Sequence, residues 1–130
     1  MKIKLTSVIV DDQARALDFY TGILGFIKKR DIPVGKDRWL TVVSPEAPDE
    51  VELLLEPAGI PAARTYQQAL FAAGIPLTAF EVGDIQAEYE RLKSLGVAFR
   101  SEPIHMGPTI LTILEDTCGN LIQLYQVQGE

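Results

Sequence analysis

Few side chains in this sequence are equipped to do chemistry, and Glu52 is the first of them. It stands in Val51-Glu52-Leu53-Leu54-Leu55-Glu56, among aliphatic neighbours. A carboxylate on an otherwise apolar face has its charged form disfavoured, which raises its pKa toward the range of a general base. Proton abstraction beside a carbonyl also needs a group to hold the developing oxyanion. Gln123 or Tyr125 could serve, and no cationic group is evident nearby. The blander reading is that Glu52 hydrogen-bonds Gln123 or pairs with a distant arginine. The one histidine, His105, falls in Glu102 to Pro108 and reads as an exposed loop residue rather than a ligand. The one cysteine, Cys118, reads as an inert turn residue with no histidine near it in sequence. No Gly-rich phosphate loop, Gly-x-Ser-x-Gly elbow or Cys-x-x-Cys pair is present.

The elements that must position these groups come in two copies. Leu5-Thr6-Ser7-Val8-Ile9-Val10 reappears as Leu77-Thr78-Ala79-Phe80-Glu81-Val82, and Asp12 returns as Asp84, 72 positions on. Each Asp opens a helical stretch, Asp12 to Leu24 and Asp84 to Leu95, and a glycine closes it at Gly25 or Gly96. Leu17, Tyr20 and Leu24 make one helical stripe; Ile85, Tyr89 and Leu92 make the other. Past the helices an offset of 71 matches Leu40-Thr41-Val42 to Leu111-Thr112-Ile113, and Val51-Glu52-Leu53-Leu54 to Ile122-Gln123-Leu124-Tyr125. Second strands are expected at roughly 26–31 and 97–101. Each half thus reads as strand, helix and three strands. Module 1–58 is joined to module 76–127 by a connecting helix over 60–74, whose stripe of Tyr66, Leu70 and Ala73 needs a surface to cover.

Alternation sorts the strand residues into faces. Val8, Val10, Leu53, Leu55, Phe80, Val82, Ile122 and Leu124 suit the side covered by helices. The other face collects Leu5, Ser7, Ile9, Glu52, Leu54 and Glu56 in the first half. In the second it collects Leu77, Ala79, Glu81, Gln123 and Tyr125. Apolar surface with a few polar groups suits a ligand cavity if the face is concave, and solvent or a partner chain if it is not.

Composition bounds the rest. At 130 residues, 47% hydrophobic and 23% charged, the chain is one globular domain with a real core. A net charge of −6 without a basic cluster argues against nucleic acid and against anionic membranes. No apolar run is long enough to span a bilayer, and no signal-peptide pattern opens the chain. The lone cysteine fits a reducing cytoplasm.

The duplicated βαβββ plan, with Val10-Asp11-Asp12, Leu17-Asp18-Phe19-Tyr20, Leu24-Gly25-Phe26 and the closing run Glu115 to Leu124, resembles the vicinal oxygen chelate superfamily. That group includes glyoxalase I, extradiol dioxygenases, fosfomycin-resistance enzymes and bleomycin-binding proteins, and the likeness covers essentially the whole chain. It implies an α+β fold of two tandem βαβββ modules forming cupped mixed sheets with flanking helices, and commonly a homodimer.

In metal-dependent members the first strand of each half supplies a His and the last a Glu. The resemblance carries those positions onto Leu5, Leu77, Glu52 and Gln123. Leu has no donor, and one carboxylate with one amide leaves a divalent ion mostly hydrated. The expectation is therefore a metal-free, cofactor-free member that binds a small, partly apolar molecule. Its lining would be Leu5, Ser7, Leu54, Leu77, Ala79 and Tyr125, oriented by Glu52 and Gln123. Trp39 or Phe71 would stack on a planar ligand, although Trp39, at the start of a strand, reads equally well as ordinary core. A metal-independent lyase or isomerase with Glu52 as base is the alternative. A metal enzyme drawing on atypical positions such as Glu56 and Glu81 is the third reading.

Overall fold

Asp12 and Asp84 start their helices in the same way. Each has extended backbone (φ −150° and −140°) and accepts a backbone N–H three residues on, from Arg15 at 2.9 Å and from Ala87 at 3.1 Å. Each supplies a first-turn donor with an acceptor it would otherwise lack. In the computed structural model, which describes residues 1–128, the order is β1 (Leu5–Val10), α1 (Gln13–Leu17), a π-helical turn (Asp18–Ile23), β2 (Ile27–Val34), β3 (Asp37–Val43) and β4 (Glu52–Pro57). After α2 (Pro61–Ala73) come β5 (Thr78–Glu81), α3 (Ile85–Ser94), β6 (Ile104–Met106), β7 (Thr109–Glu115) and β8 (Leu121–Val127). The strands form two four-stranded mixed sheets, β1-β4-β3-β2 and β5-β8-β7-β6, with one parallel pair in each. This is the expected α+β fold. Two compact units result, and the boundary between Tyr66 and Gln67 falls inside α2.

The first helix is not the single α-helix the spacing predicts. After Leu17 it widens: the Leu24 N–H bonds the Phe19 carbonyl at 3.0 Å, and the Thr21 hydroxyl donates to the Leu17 carbonyl at 2.6 Å. The wider turn lets the adjacent residues Phe19 and Tyr20 both be buried, edge to face at 5.7 Å, with Tyr20 stacked on Phe26 at 6.5 Å. Leu17 and Leu24 are left half-buried. The second helix keeps its stripe, with Ile85, Tyr89 and Leu92 all buried.

The core face of the first sheet holds Val8, Val10, Leu40, Val42, Leu53 and Leu55, all buried. Fully burying a side chain of this size contributes about 2 kcal/mol. In the second unit Leu114, Ile122 and Leu124 play that part, and Tyr89 meets Phe99 at 4.7 Å. The expected strand over 97–101 is reduced to one bridge, Phe99 with Leu114; the paired strand comes later, as β6, and includes His105. His105 is thus an exposed strand residue, not a loop residue.

Register corrects the repeat. Five residues before each capping Asp stand Ser7 and Ala79, yet Ser7 lies opposite Leu54 and Ala79 opposite Gln123. Gln123 is therefore the counterpart of Leu54, not of Glu52. Thr41 likewise lies opposite Leu54 and Ile113 opposite Gln123, so Thr41 corresponds to Ile113 rather than Thr112. For β4 and β8 the cause is loop length. Ser44 to Val51 joins β3 to β4, whereas the shorter Asp116 to Asn120 joins β7 to β8. A one-residue slip exchanges the faces of a strand.

The connecting helix also departs from expectation. Tyr66 is 55% exposed, and the one buried residue of α2 is Gln67. Its amide donates to the Cys118 carbonyl and to Asn120 Oδ1, both at 3.1 Å. Asp116 completes that turn by accepting from the Cys118 N–H (2.8 Å), the Asn120 N–H (2.9 Å) and Asn120 Nδ2 (2.8 Å). A buried amide in such a network must be satisfied, so hydrogen bonding overrides the apolar stripe.

Candidate functional site

Ladder partners project on the same side of a sheet, so register builds the candidate face of the first unit. One row is Leu5, Glu52, Val43 and Ile27; the next is Ser7, Leu54, Thr41 and Arg30. Trp39, two residues from Thr41 and opposite Ile32, continues the same face and is 39% exposed, so it is not core. Leu5 and Ser7 are exposed, Leu54 and Thr41 are buried, and Glu56 is half-buried. Beyond Thr41 the β3–β4 ladder stops and Gln13 bridges the gap. Its Nε2 donates to the carbonyls of Arg38 (2.7 Å) and Leu55 (2.9 Å), and its Oε1 accepts the Arg38 N–H at 3.0 Å. The segment carrying Trp39 is thereby fixed by the first residue of α1.

Glu52 is not the isolated carboxylate that its sequence neighbours suggest. Its Oε1 accepts from Thr41 Oγ1 at 2.8 Å and from Arg30 Nε at 3.0 Å. The expected upward pKa shift is reversed: the Thr41 hydroxyl hydrogen bond, followed by the Arg30 guanidinium, holds the carboxyl below its ordinary value against an opposing desolvation effect. Glu52 is a weakened base. The arginine is near because β2 carries a bulge. Lys28 lies opposite Val42 and Arg30 opposite Thr41, which leaves Lys29 as the extra residue. Plain alternation from Ile27 would put Arg30 on the opposite face; the bulge turns it onto the side of Glu52. No local signal in the sequence marks this. On the core-facing side of the same hairpin, Arg38 donates to Asp31 at 3.0 and 2.7 Å and lowers the Asp31 pKa to about 2.

The second unit offers a plainer face. Ala79, Gln123 and Ile113 form one row, and Glu81, Tyr125, Leu111 and Ile104 the next. Leu77, Gln123 and Tyr125 are half-buried, Ala79 and Glu81 exposed. The side chains of Gln123 and Tyr125 make no hydrogen bond among the described residues. Phe71, on α2, lies under the Arg100 guanidinium at 5.1 Å. Cys118 is fully buried in its turn, as an inert residue would be.

At the positions that the resemblance carries onto each unit, the donor chemistry does not fit a divalent ion. Leu5 and Leu77 offer no lone pair, Gln123 is a neutral amide, and Glu52 Oε1 already serves two donors. Among the described residues no group of three or more His, Cys, Asp or Glu is placed to hold a metal, and that includes Glu56 and Glu81. No helix among them is long and apolar enough to cross a membrane.

Comparison with known proteins gives a consistent family. A model described as the Glyoxalase/Bleomycin resistance protein/Dioxygenase superfamily matches residues 2–124. The uncharacterized protein YurT of Bacillus subtilis (strain 168) is 56% identical over 126 residues, 97% of this chain and 99% of YurT. Among solved structures, UcmS2 is similar at a TM-score of 0.82 with 30% identity, covering 96% of this chain and 97% of its own. TnmS3, described as an antibiotic binding protein from Streptomyces sp. CB03234, is similar at 0.78 with 29% identity, covering 98% and 97%.

Proposed function

The chain belongs to the Glyoxalase/Bleomycin resistance protein/Dioxygenase superfamily, and from that premise we propose that it binds a small, partly apolar molecule without using a metal ion. The observation that carries this reading is the mixed face of the first sheet. Exposed Leu5 and Ile27, with buried Leu54 and Val43 between them, share their rows with a hydrogen-bonded polar group, Thr41–Glu52–Arg30, and exposed Trp39 lies on the same side. Ligand sites are apolar with a few well-placed polar groups, which is this composition. In the second unit Leu77, Ala79, Gln123 and Tyr125 offer a second mixed face of the same kind. The likeness to an antibiotic-binding protein supports the same direction.

Binding is favoured over base catalysis because the carboxylate that would act as base is stabilised in its ionised form and already engaged. The proposal extends to a homodimer in the cytoplasm. Exposed Val34 at the end of β2 and Met106 at the end of β6 are apolar surface of the sort an isologous contact covers. Sedimentation equilibrium should give twice the 14.3 kDa chain mass.

Trp39 is the only tryptophan and lies on the proposed face, so it reports on occupancy. Titration with N-phenyl-1-naphthylamine should quench its emission saturably, with the same midpoint in the presence of EDTA. Quenching that rises linearly without saturating, or that vanishes when metal is chelated, overturns the reading.

A further inference from the structure

Arg30 carries an unused recognition group on the face just described. Its guanidinium has five N–H donors in a rigid fork, and only Nε is committed, to Glu52 Oε1 at 3.0 Å. The two terminal nitrogens make no hydrogen bond among the described residues. The Arg30 side chain is 50% exposed, while that of its partner Glu52 is 15% exposed. Thr41 Oγ1 donates to the same oxygen of Glu52 and fixes that carboxylate in turn. The chain of contacts Thr41–Glu52–Arg30 therefore holds a planar donor pair in a set orientation, on the same face as exposed Ile27 and Trp39.

We propose that Arg30 is the anion anchor of the ligand site, and that the ligand is an amphiphilic anion whose apolar body lies against exposed Ile27 and Trp39 and whose carboxylate or similar oxyanion is taken by the Arg30 fork. This rests on the small-molecule-binding reading above and names the ligand class for that same face. Two parallel N–H donors match two oxygens of one planar or tetrahedral oxyanion, a geometry that lysine lacks. The bulge at Lys28/Arg30 is what makes the anchor available, because without it the fork would fall on the core side of the sheet. Glu52 plays two opposed parts. It orients the guanidinium, and its own negative charge sets a limit on how tightly an anion is held.

The test uses two probes that share a naphthylamine body and differ in one group: 8-anilinonaphthalene-1-sulfonate, which carries an oxyanion, and N-phenyl-1-naphthylamine, which carries none. The wild-type chain should bind the sulfonate about tenfold more tightly than the neutral probe, the effect of one charge-assisted contact. Arg30→Gln should abolish that difference, and Arg30→Lys should retain part of it. Glu52→Gln should strengthen sulfonate binding severalfold, the opposite sign, and should do so only while Arg30 is present. Equal binding of both probes by the wild type, or equal weakening of both by Arg30→Gln, overturns the anchor while leaving small-molecule binding intact. Binding of neither probe by the wild type overturns the binding reading itself and the anchor with it.

Discussion

The two halves share a strand order and a helix cap, and they differ in where their polar groups are spent. In the first unit the polar group lies on the sheet face: Thr41, Glu52 and Arg30 form a connected set, half in solvent, on an otherwise aliphatic surface. In the second unit the face carries Gln123 and Tyr125 with no such set. The connected polar network lies instead in the β7–β8 turn, where Asp116, Asn120, Cys118 and Gln67 are buried and mutually bonded. Arg100, whose N–H bonds the Ile113 carbonyl as Arg30 pairs with Thr41, stacks on Phe71 and stays 3.8 Å from Glu115. Duplication thus preserved the scaffold, while one copy holds its polar residues for structure and the other exposes them where a ligand could use them. A buried network is costly to disturb and an exposed one is nearly free to change, which is why recognition belongs with the second kind.

That contrast is sharpest at the two turns that join the last strand pair. Asp116→Ala should lower stability by about 3 kcal/mol or more, since two buried backbone N–H groups and the Asn120 amide lose their acceptor. Asp49→Ala, in the matching turn of the first unit, is expected to change it by less than about 0.5 kcal/mol because that side chain is almost wholly exposed. Urea midpoints measured side by side decide this, and equal losses would break the distinction. A smaller effect tests what the halves share: Asp12→Ala and Asp84→Ala should each cost about 1 kcal/mol, nearly equally, as loss of one helix cap does.

The smallest effect is acid dependence. Asp31 has its pKa lowered from 3.8 to about 2 by Arg38 and, less, by Lys28. A depressed folded-state value means the stabilisation is present above about pH 4 and is lost as pH falls toward 2. Asp31→Asn should therefore flatten the acid limb of unfolding in that window, and 1 M salt should shrink the difference, because the pair is solvent-screened. An unchanged acid limb would remove Asp31 from the account.

Much of this was legible in the residues. The caps, the closing glycines, the duplicated order and most helix-side strand positions are local properties and appear as read, while Phe80 and Val82 are only half-buried. The readings that failed were those that needed a pairing partner. The offset of 71 fails at β3 because matching by composition prefers Thr112 to Ile113, and at β4 because the preceding loops differ in length and composition does not register a loop. At Glu52 the pairing with a distant arginine stands and the upward pKa does not: its aliphatic neighbours are adjacent in sequence, whereas the groups that decide it, Thr41 and Arg30, are 11 and 22 residues away. The Tyr66 stripe was read as a buried face because periodicity sees apolarity and not the amide of Gln67.

The sequence by itself determined the duplicated α+β plan and the absence of donor atoms at Leu5 and Leu77, since side-chain type and local backbone preference do not depend on anything distant. Only the tertiary structure decided which residues stand opposite which, and so which charge meets which. A single extra residue at Lys29 turns Arg30 from one side of the sheet to the other, because strand geometry alternates and one added position inverts every side chain beyond it.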